Sequence, residues 1–333
     1  MDIAKPYLLF LGDVKDQLAA KTAQGVVDWR PDWCVGQIRL AGCKADCGLA
    51  DMTIADARAK GAKTMVVGVV NAGGVLPDHW VSKIVEALDQ GLDVATGLHK
   101  RLGSIPEIAE AAKRNGRKLH DVRFTDMTFA TGKGSKRQGL RLLAVGTDCS
   151  VGKKYTTLAL DKEMRARGMK SDFRATGQTG VLISGRGVAI DAVIADFIAG
   201  AAEWLSPAND PDHWDVIEGQ GSLLHPSYAG VTLSLLHGSQ PDRLVMCHDA
   251  SREYMVGVDG YRTPTLEECV DANLRAGRLV NRGIDVVGLC VNTSSLPEAE
   301  ARNYLDEAAR RLGVPACDPV RTGVTAIVDS LDA

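Results

Sequence analysis

The stretch LRLLAVGTDCSVGKKYTTLAL at residues 140–160 limits what this chain can fold into more than any other part of it. An apolar run, a loop bounded by Gly146 and Gly152, and a helical pattern with Lys153 at its start follow in the order that a phosphate cradle needs. The glycines let the backbone curl so that successive N–H groups point inward, and the positive end of the following helix faces the same anion. Lys153 adds a compact, mobile charge that reaches phosphate oxygens. Gly146, Thr147, Asp148, Cys149, Ser150, Val151, Gly152, Lys153, Lys154, Tyr155 and Thr156 are therefore the candidate ligand-binding residues of the loop. Its spacing departs from the standard P-loop. Five residues separate the glycines instead of four, and Lys154 stands where a Ser or Thr normally holds Mg²⁺.

At 333 residues the chain suits two domains, because single hydrophobic cores stop growing near about 250–300 residues. Residues 139–333 are expected to form a P-loop NTPase-like domain with a mainly parallel sheet. Strands are expected at Leu140 to Val145, Trp214 to Ile217, Leu244 to Cys247 and Val286 to Val291. Helices are expected at about Tyr155 to Arg167, Asp191 to Leu205, Thr265 to Asn281 and Pro297 to Leu312. Residues 1–135 alternate short apolar runs with helical patterns and read as a Rossmann-like α/β domain. Strands fall at Tyr7 to Leu11, Met65 to Val70 and Asp93 to Thr96, the second followed by a glycine turn at Asn71 to Gly74. Helices fall at Pro77 to Leu88 and Ile105 to Asn115, the latter with Pro106 in its first turn and Gly116 as its cap. No G-x-G-x-x-G follows any of these strands, so the first half shows no dinucleotide fingerprint. The polar stretch Thr131 to Gly139 is the expected boundary, and its basic run KGSKRQGLR reads as a solvated linker.

A net charge of −3 with interspersed signs gives no field that would gather nucleic acid or an anionic membrane. The N-terminus resembles no signal peptide, and no run approaches the roughly 20 apolar residues that span a bilayer. Eight scattered cysteines read as reduced thiols of a cytoplasmic protein. Cys43 and Cys47 lack a second ligand pair, and His225, His237 and His248 lack ligand spacing, so no metal site is expected. Symmetry among soluble enzymes makes a homo-oligomer the expectation.

Glu218 ends the apolar run before Gly219, Gln220 and Gly221, where an acidic element is expected beside a P-loop strand. His225 follows within a few residues and is a candidate base or hydrogen-bond donor. The run from Arg174 to Gly187 reads as a binding loop. Gln178, Thr179 and Gly180 are its candidate contacts, and Arg174 and Arg186 are able to clamp a carboxylate. Asp191 is a candidate cap of the helix that follows.

The loop GTDCSVGK looks like the version in the dethiobiotin synthetase branch of P-loop proteins. Together with ATGQTGVLISGRGVAIDAVIADFIAGAAEWL, VIEGQGSLLHPSYAGVTLSLLHGSQPD, CVNTSSL and GLHKRLGSIPEIAEAA, it resembles the D-glutamate N-acetyltransferase family over nearly the whole chain. That resemblance implies acetyl-CoA as donor and the amino group of a D-amino acid, typically D-glutamate, as acceptor. It implies Glu218 or His225 as general base, N–H groups near Gly219 to Ser222 as oxyanion donors, and Arg186 at a substrate carboxylate. By analogy with related P-loop enzymes, Asn292 and the loop Val314 to Val320 are placed against adenine. CoA presents no γ-phosphate for cleavage, so a loop that keeps its lysine and loses its Mg²⁺ hydroxyl fits binding better than hydrolysis. Two other readings stay open: a ligase or kinase using Mg-ATP, and a non-catalytic nucleotide sensor.

Overall fold

The computed structural model describes residues 3–69, 76–125 and 127–331. The chain forms two compact units, Met1–Asp126 with Gly177–Ala192, and Met127–Thr176 with Val193–Ala333. No described helix is long and apolar enough to cross a membrane.

The first unit carries β1 (Tyr7–Gly12), α1 (Lys21–Trp29), β2 (Cys34–Arg39), α2 (Ile54–Ala59), β3 (Thr64–Val67), α3 (Asp78–Asp89), β4 (Asp93–Thr96), α4 (Pro106–Asn115) and β5 (Leu119–Asp121). Its sheet has the order β2-β1-β3-β4-β5, every pair parallel. β1 and β3 are buried at every position, as strands covered on both faces must be. Gly12 turns the chain out of β1 at φ 58°, and a Cβ there would fall 2.3 Å from the Trp80 ring. α4 runs from Pro106 to a left-handed Gly116, as the sequence led us to expect. The strand expected to Val70 ends at Val67, and the turn at Asn71 to Gly74 lies outside the described residues.

The second unit carries β6 (Leu140–Gly146), α5 (Lys153–Ala166) and β7 (Ser171–Arg174). The next helix, α6 (Gln178–Ser184), belongs to the first unit, where Thr179 Oγ1 lies 3.3 Å from Thr22 Oγ1. The division therefore falls at Asp126, before the expected 135–139, and residues 177–192 make an excursion into the first unit. The second unit resumes with α7 (Ile198–Leu205), β8 (Trp214–Ile217), α8 (Ala229–Ser239), β9 (Arg243–Asp249), α9 (Leu266–Gly277), β10 (Asp285–Asn292), α10 (Glu298–Leu312), β11 (Ala316–Cys317) and α11 (Thr325–Asp329). α7 begins at Ile198 instead of near Asp191. Asp191 lies in a short 3-10 turn and pairs with Arg123 at 2.9 Å, so it caps no helix.

The second sheet has the order β11-β10-β9-β6-β8-β7 and is parallel throughout. Apolar side chains fill both of its faces, Leu142, Ala144 and Val245 on one and Leu143, Val145 and Met246 on the other. Each such burial is worth about 2 kcal/mol for a leucine. The chain leaves β6 toward β7 and β8 and returns on the other side with β9, so the carboxyl end of β6 is a topological switch point, where such sheets bind ligands.

The basic run before β6 is only partly a solvated linker. Arg141 is 1% exposed, and its guanidinium donates to the carbonyls of Arg137, Gln138, Gly139 and Pro207 at 3.0–3.1 Å. Arg137 donates to Gly238 O at 2.9 Å. Guanidinium N–H groups in this way satisfy carbonyls at the foot of the sheet that would otherwise be unpaired.

Candidate functional site

β6 delivers the chain into the loop at Gly146, whose backbone pairs with Cys247 on β9. A Cβ on Gly146 would lie 2.8 Å from Val151 Cγ2 and 3.0 Å from Lys153 Nζ, so glycine leaves room for the lysine to fold over the loop. Two left-handed residues, Ser150 (φ 56°) and Gly152 (φ 98°), make the curl that starts α5 at Lys153. Lys153 is 6% exposed and donates from Nζ to the Asp148 carbonyl at 2.8 Å. Burial pushes its ammonium pKa down, which makes an anion in the loop a favourable partner.

The other loop side chains divide by direction. Asp148 is wholly buried, and its carboxylate accepts from Cys149 N at 2.6 Å, Val256 N at 2.9 Å and Arg252 Nη1 at 2.8 Å. It braces the loop from behind. Thr147 N–H donates to Cys247 O at 3.0 Å, and its hydroxyl lies 2.9 Å from His248 Nδ1. Thr156 is buried beneath the loop and receives Cys247 Sγ at 3.4 Å. Lys154, which stands where a Ser or Thr normally holds Mg²⁺, has its Nζ over the Tyr155 ring, 5.2 Å from the centroid.

β8 runs beside β6 and brings Glu218, 4% exposed, to the same edge. Its Oε2 accepts Thr176 N–H at 3.0 Å, and its backbone carbonyl accepts the Thr176 hydroxyl at 2.6 Å. Gln220 Nε2 donates to Thr176 Oγ1 at 3.1 Å. Gly219 lies so close to β6 that a Cβ would be 1.7 Å from Ala144 O and 3.0 Å from Lys153 Cδ. Gly221 turns at φ 62°, and Ser222 Oγ donates to Thr147 O at 3.2 Å. The phosphate loop and residues 218–222 are thus brought together.

His225 is 1% exposed, and both of its nitrogens are engaged. Ser227 N–H donates to Nδ1 at 3.1 Å, which fixes the neutral tautomer with Nε2–H directed at Val256 O, 3.1 Å away. Nε2 is also 3.7 Å from Asp148 Oδ1. Asp148, Cys149 and His225 form the one trio of metal-type ligands among the described residues, with ligand atoms within 4.8 Å of one another. A cation there would have to displace Arg252 and the backbone partners of the imidazole.

Gln178, Thr179, Gly180 and the exposed Arg186 belong to the first unit, where the Gln178 side chain packs against Gly97. Arg174 belongs to the second unit and is held by the buried Asp215 at 2.7 Å. Asn292 ends β10, two strands from β6, and donates to Asp249 Oδ2 at 3.0 Å. Beside it, Asp318 accepts Thr293 N–H at 3.0 Å and Val320 N–H at 2.8 Å, fixing the loop after β11.

Residues 128–328 match the family described as a domain of unknown function, DUF1611_C, P-loop domain, and residues 38–125 match its Rossmann-like partner DUF1611_N. A protein of Tritonibacter scottomollicae named D-glutamate N-acetyltransferase is 55% identical over 331 residues, 99% of each chain. One of the same name from a Pseudoalteromonas species is 49% identical over 99% of this chain and all of its own. The crystal structure of a DUF1611 family protein from Anabaena variabilis superposes with a TM-score of 0.87 at 29% identity, covering 99% of both chains. The resemblance read from the sequence therefore holds, and this chain belongs to the DUF1611 family, a Rossmann-like domain followed by a P-loop domain.

Proposed function

We propose that this chain transfers an acetyl group from acetyl-CoA to the amino group of D-glutamate. Full-length identity of 55% with a protein named for that activity carries the reading. The loop chemistry supports the donor: a buried lysine over a glycine curl at a helix N-terminus suits a pyrophosphate, and Lys154 in place of the Mg²⁺ hydroxyl suits a ligand held without cleavage. Eight free thiols fit a reducing, cytoplasmic compartment.

In this reading the amine attacks the thioester carbonyl, a tetrahedral oxyanion forms, and the CoA thiolate leaves with a proton. Glu218 is a counter-charge for the acceptor ammonium at the edge of β8, and the N–H groups of Gly219 to Ser222 are donors to the oxyanion. Of the two bases the resemblance implies, His225 is the poorer, because its lone pair already holds Ser227 N–H.

Thiol release from acetyl-CoA, followed with D-glutamate, L-glutamate and ATP side by side, tests the reading. Release with D-glutamate and no phosphate release from ATP is expected. ATP turnover with no thiol release from any D-amino acid would transfer the protein to the ligase class.

A further inference from the structure

Each strand that flanks β6 carries an ionisable residue at its carboxyl end: Glu218 directly follows β8, and His248 is the next-to-last residue of β9. The pairing of Gly146 with Cys247 sets His248 directly beside the first residue of the phosphate loop. Its Nδ1 lies 2.9 Å from Thr147 Oγ1, and its ring stacks on Tyr304 of α10, centroids 6.2 Å apart and 12° from parallel. The ring is thereby fixed in plane. Its Nε2 makes no hydrogen bond among the described residues.

We infer that His248 is the general base of the acetyl transfer, an assignment that rests on the reading above. A base must gain a proton without losing its support. The Thr147 hydroxyl can accept from Nδ1–H whether Nε2 is bare or protonated, whereas the His225 Nδ1 would have to give up Ser227 N–H to become charged. Burial lowers the His248 pKa below its ordinary 6.5 and keeps the imidazole neutral at physiological pH. Asp249, next along the strand, opposes that shift, and Arg252 from the following loop adds to it. Tyr304 faces it from α10, and the charge of Asp148 on the phosphate loop is already met by Arg252.

The step balances. Nε2 takes one proton from the substrate ammonium, the amine nitrogen bonds to the thioester carbon, and the C–S bond breaks. Nε2–H then protonates the thiolate, and the amide nitrogen sheds its remaining extra proton to solvent.

The test is a pair of variants, His248→Asn and His248→Ala, with thiol release and thermal melts as readouts. We expect kcat to fall by about 10²–10⁴-fold, the usual worth of a general base, with the acetyl-CoA KM changed by less than about threefold. The acidic limb of kcat/KM, with its midpoint below 6.5 in the unaltered protein, should vanish, and added imidazole should restore part of the His248→Ala rate. Retention of kcat within about threefold, or persistence of the acidic limb, overturns the assignment while leaving acetyl transfer standing. Should both variants fail to fold, an acidic midpoint at or above 6.5 in the unaltered protein overturns it instead. An unaltered protein that releases no thiol removes the acetyl-transfer reading itself, and the assignment with it.

Discussion

Arg252 Nη1 and Asp148 Oδ2 meet at 2.8 Å across 104 residues of sequence and tie the loop after β9 to the back of the phosphate loop. The aspartate is wholly buried, so removing its cation leaves a charge that water cannot reach. Arg252→Ala should cost about 3 kcal/mol of stability, measured by urea denaturation, because a broken buried pair strands its partner. Arg252→Ala with an unchanged denaturation midpoint would show that Val256 N–H and Cys149 N–H satisfy Asp148 by themselves.

Gly219 and Gly230 make a matched pair of alanine substitutions. At Gly219 the new methyl would meet the Ala144 carbonyl, backbone in a central strand that cannot move aside. Overpacking of that kind costs about 1–3 kcal/mol or more, and here it also shifts the strand under Lys153. At Gly230, in α8, nothing lies within 4 Å, and alanine should be neutral or stabilising by up to about 1 kcal/mol. Thermal melts of both variants check the contrast.

Lys153 links binding to protons. Burial lowers its pKa from the ordinary 10.5, and a phosphate placed against it should raise the value again. Between the two values binding takes up a proton, so CoA affinity should be flat below the lower value and fall as pH rises through the window. Calorimetry at alkaline pH in buffers of different ionisation enthalpy should report that uptake. Lys153→Met should abolish it.

The sequence carried the local parts of this site clearly. β6, the glycine loop and α5 announce themselves through an apolar run, two glycines and a lysine that are neighbours in the chain. Strands with polar residues were harder to read. β7 reads SDFR because Asp172 and Arg174 join an ion-pair cluster with Asp215, and β2 holds a buried Gln37 that bonds Asp46 at 2.9 Å. The excursion of residues 177–192 into the first unit depends on contacts such as Thr22 with Thr179, 157 residues apart. His225 stands near Glu218 in sequence. His248 stands near Thr147 only because β9 pairs with β6, a relation that periodicity does not reveal.

The proposed grip of the loop on CoA phosphates is tested most directly by calorimetric binding of CoA and of S-acetylpantetheine, which lacks phosphates, to the unaltered protein and to Lys153→Ala. CoA should bind the variant about 10- to 100-fold more weakly, the worth of a hydrogen bond to a charged group, while S-acetylpantetheine binds both proteins alike. Equal CoA affinity in the two proteins would contradict the account.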